Sequence, residues 1–155
     1  MNSTATWKRN DLSRRDPAVF GAELPAPVGA AAADKGAGYD AVEPWLPAYD
    51  ADPPGFARQV ADAGLVCHGF HIPLSGLRDD PARYIDIALT LGATFLIPPW
   101  LPPEERGQTA SDWQRVSEVL QRGQDAAARH GLEVLWHNHD FEYVTLPDGT
   151  RPIDH

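Results

Sequence analysis

The segment LEVLWHNHDFEY, residues 132–143, decides both the fold and the position of its site. Its apolar beginning predicts a buried strand, which ends abruptly in four side chains that can bind a metal or move a proton: His137, His139, Asp140 and Glu142. His137 and His139 are two residues apart, so on an extended backbone they share a face. A His-x-His pair of this kind is used by several classes of metal site.

The same arrangement of glycine followed by an apolar strand recurs along the chain. It is seen in the segments AGYDAVEPW (Gly38), AGLVCHGFHIP (Gly64), LGATFLIPPW (Gly92) and HGLEVLWHNHD (Gly131). Glycine after a helix end adopts the left-handed conformation at little steric cost. The strands are short and almost continuously apolar, which is typical of parallel strands that are covered on both faces. The glycines are roughly 26 to 39 residues apart, about one βα unit each.

Three helices are predicted between these strands. The segment DDPARYIDIALTLG should be capped by Asp80, with Pro81 in its first turn. The segment SDWQRVSEVLQRGQDAAARHG predicts a longer helix that begins with a capping box of Ser111 and Gln114 and can bend at Gly123. The segment PPGFARQVADAG predicts a shorter helix.

The beginning of the chain has weaker signals. Residues 1–17 carry positive charges without the apolar stretch of a secretory signal, and as a chain terminus they are expected to form a disordered tail. Ala18–Leu24 can form a first strand, followed by a poorly formed helix. The chain therefore predicts an α/β fold of about five parallel strands with intervening helices, in a domain spanning residues 18–155.

Composition limits the partners. The chain has 155 residues, 43% of them hydrophobic and 23% charged, as in a soluble globular domain. A net charge of −9 argues against nucleic acid or an anionic membrane as the main partner, and no apolar run approaches the roughly 20 residues of a membrane span. The single cysteine, Cys67, excludes an internal disulfide, indicates a cytoplasmic setting and is expected to be a core residue.

Functional-looking side chains follow each predicted strand. They are Glu43 and Trp45, then His71, then Trp100, and finally the 137–142 cluster. Because ligands bind beyond the carboxyl ends of parallel strands, we expect these residues to converge on one pocket.

Other interpretations of the same residues remain open. Glu43 can be an exposed loop acid, His71 a hydrogen-bonded structural histidine, and Trp45 and Trp100 a cover for the end of the fold. A His-x-His pair with a nearby acid also occurs in cupin-like enzymes. The helix predicted over residues 111–130 favours the α/β fold instead, because cupins are nearly all β.

Four of these segments together resemble a known family. GLEVLWHNHDFEY resembles the HNHDFEF-type strand of the sugar phosphate isomerase/epimerase group, which belongs to the xylose isomerase-like TIM barrels. GYDAVEPW, AGLVCHGFHIPL and LGATFLIPPW are similar to the second, third and fourth strands of that family. The resemblance covers roughly residues 38–143 and implies a (β/α)8 barrel. A complete barrel needs about 200 residues or more, so residues 18–155 are expected to form a partial one.

The resemblance also implies a chemistry. Members of the family interconvert aldoses and ketoses, or epimers, by metal-assisted proton transfer next to a carbonyl. It implies a divalent metal (Mn, Mg, Co or Zn) and a small-molecule sugar or polyol substrate. Carried onto this chain, it assigns Glu142 and His137 as catalytic residues, Glu142 and His139 as metal ligands, and Glu43, His71, Trp100 and Asn138 as substrate contacts.

The expected absence of the last strands raises an alternative. The chain can be a truncated, non-catalytic barrel remnant or an assembly partner, because most metal ligands of the family come from later strands. An open sheet edge would also allow a homo-oligomer to form.

Overall fold

The computed structural model of the protein describes residues 38–155. The predicted tail at residues 1–17, the first strand at Ala18–Leu24 and the weak helix after it lie outside this range. The strands are β1 (Ala41–Val42), β2 (Val66–Cys67), β3 (Gly69–His71), β4 (Phe95–Ile97) and β5 (Glu133–Val134). The α-helices are α1 (Leu46–Tyr49), α2 (Pro53–Asp62), α3 (Leu74–Asp79), α4 (Pro81–Leu91) and α5 (Ala110–Ala128). Three 3₁₀ turns are formed by Pro103–Glu105, Phe141–Tyr143 and Pro152–Asp154.

Every strand pairing in this part of the chain is parallel. β1 pairs with β2, while β3, β4 and β5 form a second ladder in that order. β2 and β3 are two stretches of one strand separated by His68, and His71 N donates to Pro44 O over 2.8 Å, which ties the first ladder to the second. The predicted α/β fold with parallel strands is confirmed. Within residues 38–155 the strands form a two-stranded and a three-stranded ladder and not a closed barrel.

Two of the predicted helix boundaries follow from their local signals. Asp80 caps α4 by accepting a hydrogen bond from Arg83 N over 3.2 Å, and Pro81 is the first helical residue. The same helix ends at Gly92, whose φ of 68° lies in the left-handed region, and β4 begins three residues later. Both predictions are confirmed.

The predicted start of α5 was wrong. The helix begins at Ala110, before Ser111, and Thr109 is its N-cap. Thr109 Oγ1 accepts from Asp112 N over 3.3 Å, and Asp112 Oδ2 accepts from Thr109 N over 2.9 Å. An acid at the third helical position thus forms the capping box, which leaves Ser111 and Gln114 on the exposed surface of the first turn.

Gly123 lies within α5, which runs without interruption from Ala110 to Ala128. Its role is one of packing: a Cβ at this position would lie 2.9 Å from Leu77 Cδ2 on α3. The glycine therefore lets two helices that cover the sheet approach each other closely. The short helix α3 was not predicted from the sequence.

Two hydrophobic clusters support the strand ends. The larger lies among α2, α4, α5 and the sheet, with Phe70, Ala88 and Leu96 fully buried. The smaller lies under the loops that follow β4 and β5 and comprises Leu74, Leu101, Trp113, Phe141 and Leu146. Within residues 38–155, no helix is long and apolar enough to cross a membrane.

Candidate functional site

Three side chains from three strand ends meet at one edge of the sheet. His71 Nε2 lies 2.6 Å from Glu43 Oε1, and the rings of His71 and His137 are 5.4 Å apart in an edge-to-face arrangement. One ligand atom from each of the three residues lies within 4.8 Å of the other two. We call these residues the rim triad. The predicted convergence of Glu43 and His71 is confirmed for His137 of the 137–142 cluster.

Backbone hydrogen bonds to the neighbouring strand fix the position of His137 along the sheet. Beyond β5 the chain stays bonded to its neighbour, because Leu135 N donates to Leu96 O over 3.0 Å and His137 N donates to Pro98 O over 3.2 Å. His71 is level with Ile97 in the same ladder, one residue before Pro98. The two histidines are therefore brought together by the strand register and not by a flexible loop.

Tyr49 supports the triad from beneath. Its hydroxyl donates to His71 O over 2.5 Å, and its ring packs edge-on against Phe70 at 5.1 Å. Burial, followed by the neighbouring charges of Tyr84 and Asp50, raises the pKa of Tyr49 well above its ordinary value. The hydroxyl therefore stays protonated, and it keeps donating to the His71 carbonyl.

An aromatic row continues from the triad. The rings of His137 and His139 stack at 5.0 Å, which confirms that the two share a face, and His139 contacts Trp100 edge-on at 5.2 Å. The Arg106 guanidinium carbon lies 4.3 Å from the Trp100 ring centroid and 3.8 Å from that of Phe141. This cation–π packing ties the loop after β4 to the loop after β5.

Glu142 lies outside the rim triad. It is 1% exposed, its Oε1 accepts from Trp136 Nε1 over 3.0 Å, and its Oε2 accepts from His139 N over 2.8 Å. The carboxylate thus holds the turn that carries His139. Asn138, assigned to the substrate, donates within the same loop to Tyr143 Oη over 3.3 Å.

A cleft of about 240 Å³ adjoins the triad. It is lined by Trp45, Leu46, His71, Ile72, Pro73, Leu74, Ser75, Pro99, Trp100, Pro102 and Glu105. His71 belongs to both the cleft and the triad, and Trp45 and Trp100 are each about half exposed. The lining contains no lysine or arginine. The lining therefore offers indole rings for packing and no lysine or arginine to pair with an anionic group.

Sequence reasoning missed two residues that organise this site. Tyr49 follows β1 in a short helix, LPAY, that has too few residues for a recognisable period. Arg106 follows two glutamates and has the composition of an exposed loop, so no local signal indicates that its guanidinium packs on two rings.

Comparison with solved structures identifies the architecture. A sugar phosphate isomerase/epimerase from Parabacteroides distasonis superposes with a TM-score of 0.68 and 22% sequence identity, over 83% of this chain and 53% of its own. The fold is that of part of a TIM barrel. A xylose isomerase-like TIM barrel protein from Mycobacterium smegmatis, solved in complex with magnesium, gives a TM-score of 0.55 at 21% identity, covering 74% of this chain and 47% of its own.

A third solved structure of similar fold carries the name of a different activity. An AP endonuclease of family 2 from Brucella melitensis superposes with a TM-score of 0.59 at 21% identity, covering 70% of this chain and 48% of its own. No protein-family model and no curated protein matches the sequence. The chain spans about half the length of the solved structures it matches. These superpositions establish the fold and confirm the partial barrel expected from the sequence.

Proposed function

We propose that this chain provides the first strands of a sugar isomerase or epimerase-type enzyme, which acts by metal-assisted proton transfer next to a carbonyl. The observation that supports this most directly is the rim triad beside the Trp45–Trp100 cleft. It places a carboxylate and two imidazoles at the carboxyl ends of parallel strands, where barrels of this architecture carry their sites.

The chemistry requires a proton to leave one carbon and return to its neighbour. The Glu43 carboxylate orients the His71 imidazole through a 2.6 Å hydrogen bond and can share its proton, while His137 offers a second imidazole beside it. A divalent metal (Mn, Mg, Co or Zn), when bound, supplies polarisation of the carbonyl oxygen. Glu142, proposed from the family resemblance as a catalytic residue, and the Glu142–His139 ligand pair remain predictions.

The proposed substrate is a small, uncharged sugar or polyol. The indole faces of Trp45 and Trp100 can pack against the C–H groups of a sugar ring, and His71 lies on the same cleft wall. Asn138 is proposed as a further polar contact. The name AP endonuclease of one neighbour suggests DNA, yet the net charge of −9 favours a small molecule over nucleic acid. We place the enzyme in the cytoplasm.

Solvent-deuterium incorporation tests this proposal. The purified chain is incubated in D₂O with Mn²⁺ or Co²⁺ and a panel of ketoses, and deuterium at carbon is measured by NMR. We expect exchange above the metal-only blank and a loss of roughly 100-fold or more in Glu43→Gln. Glu118→Gln, on the exposed face of α5, is the matched control and should exchange like the wild type. Exchange no faster than the blank for every ketose contradicts proton transfer by this chain and favours the second candidate, a non-catalytic remnant.

A second candidate is a non-catalytic remnant or assembly partner. Within the described residues β5 pairs only with β4, and apolar side chains beyond β5 are exposed, with Leu135 at 41%, Tyr143 at 49% and Val144 at 60%. Such an edge can pair with a second copy of the chain. Size-exclusion chromatography with light scattering distinguishes the two: a concentration-independent monomer contradicts assembly through this edge.

A further inference from the structure

We infer that the rim triad, Glu43, His71 and His137, binds a divalent transition metal through one carboxylate oxygen and two imidazole nitrogens. These three ligands differ from the Glu142–His139 pair that the family resemblance implies. It rests on the proposed function only for what the ion does there, because the binding itself follows from the geometry of the three side chains.

The spacing of the three side chains fits one ion. Ligand atoms bound at about 2.0–2.2 Å from a tetrahedral zinc are roughly 3.3 Å apart. The triad atoms are all within 4.8 Å of one another, so small side-chain rotations bring them to this separation. The 2.6 Å contact of His71 Nε2 with Glu43 Oε1 holds a proton between two prospective ligands, and an ion would take its place.

The donor set favours a particular class of ion. Two imidazoles with one carboxylate form the protein ligand set of several catalytic zinc sites, which keep a further position open. Mg²⁺ and Ca²⁺ prefer oxygen ligands instead. The open position would face the cleft, because His71 also lines it. The triad should therefore bind Zn²⁺ or Co²⁺ more tightly than Mg²⁺, the ion present in the Mycobacterium smegmatis neighbour.

The surroundings also favour the triad over the Glu142–His139 pair. Glu43 is half exposed and the His71 side chain is 22% exposed, so both can turn toward an ion. Recruiting Glu142 would break its bonds to Trp136 Nε1 and His139 N, which together satisfy both carboxylate oxygens in a buried site.

Metal titration of the chelator-treated full chain tests the inference without any substrate. Zn²⁺ binding is followed by calorimetry, and Co²⁺ binding by its visible d–d absorption, which reports imidazole and carboxylate coordination. We expect one equivalent of either ion to bind and Mg²⁺ to compete poorly. Glu43→Gln, His71→Asn and His137→Asn should each weaken binding by at least about tenfold, since even loss of a ligand's outer partner costs about 10- to 100-fold.

The controls decide between this site and its alternatives. His130→Asn, at an exposed histidine after α5, should bind both ions like the wild type, and circular dichroism checks the fold of every variant. The inference is overturned if wild type gives no Co²⁺ absorption, or if His130→Asn weakens binding as much as His137→Asn does. It is also overturned if His139→Asn and Glu142→Gln abolish binding while His137→Asn does not. Intact metal binding without deuterium exchange would contradict the proposed function alone.

Discussion

His71 Nε2 lies 2.6 Å from Glu43 Oε1, although the two residues are 28 positions apart in the chain. The backbone makes this contact possible, because His71 N donates to Pro44 O over 2.8 Å and so holds the two strand ends side by side. The contact is a product of parallel strand register. It lies at the carboxyl ends of the strands, the end at which parallel α/β folds bind their ligands.

The Glu43–His71 pair should contribute little to stability. The Glu43 side chain is 50% exposed, and exposed ion pairs contribute about 0–1 kcal/mol. We expect Glu43→Gln to change the free energy of unfolding by less than about 1 kcal/mol, measured by urea denaturation. Arg83→Gln, which breaks the exposed pair between Arg83 and Asp50, is the matched control. A much larger loss in Glu43→Gln alone would indicate that the pair has a structural role.

Glu142, in contrast, should contribute strongly to stability. Its buried carboxylate accepts from Trp136 Nε1 and His139 N, so Glu142→Ala leaves two donors without a partner. We expect a loss of about 3 kcal/mol in the free energy of unfolding. Glu133→Ala, at an exposed acid of β5, should change it by no more than about 0.5 kcal/mol. Equal effects of the two substitutions would show that the Glu142 bonds do not hold the loop.

Gly76 should tolerate no side chain. A Cβ there would approach Tyr84 Cζ to 2.8 Å, and the Tyr84 ring is 6% exposed and cannot move outward freely. Gly76→Ala should therefore destabilise the fold by about 1–3 kcal/mol, although alanine favours helix more than glycine does. Ser75→Ala in the same helix is the control. Thermal melts compare the two variants, and a Gly76→Ala protein as stable as wild type would contradict the packing described.

Alkaline pH should weaken the fold through Cys67. Burial, and secondarily the charge of Glu43, raises the pKa of the Cys67 thiol from 9.0 to about 12. The unfolded thiol ionises above pH 9.0 while the folded one does not, so this contribution to stability is complete below pH 9.0 and is lost as pH rises toward 12.

The free energy of unfolding, measured by urea denaturation, should therefore be lower at about pH 10.5 than at about pH 8 by roughly 1–2 kcal/mol. Cys67→Ala removes the thiol and should reduce that difference. Tyr49 and Tyr84, whose pKa values are also raised by burial, contribute to the remaining difference. In parallel, a thiol reagent at about pH 8 should label wild type slowly until urea is added. Rapid labelling of the native chain would contradict the burial of Cys67.

Much of the fold could be predicted because its signals are local. Asp80 followed by Pro81 marks the start of α4 whatever lies around it, and Gly92 marks its end. The convergence of Glu43, His71 and His137 could be predicted because parallel strands of one sheet put their carboxyl ends on one edge. The core position expected of Cys67 is also confirmed, at 4% exposure.

The details of side-chain contacts could not be predicted in the same way. The Glu142–His139 ligand pair stays a prediction, and no local pattern indicates that the Glu142 carboxylate accepts from Trp136 Nε1 and His139 N. The N-cap of α5 is Thr109 and not the predicted Ser111, because Asp112 accepts a hydrogen bond from the Thr109 backbone. Such choices depend on tertiary neighbours that the local pattern does not contain.

The division of the rim triad among three strands has an evolutionary consequence. Glu43, His71 and His137 belong to separate βα units, and each unit packs its helix without using the donor at its strand end. Mutation can therefore exchange one donor at a time while the scaffold persists, so lineages can diverge in chemistry by short steps. The isomerase/epimerase and endonuclease names found among barrels of this shape are what such divergence would produce.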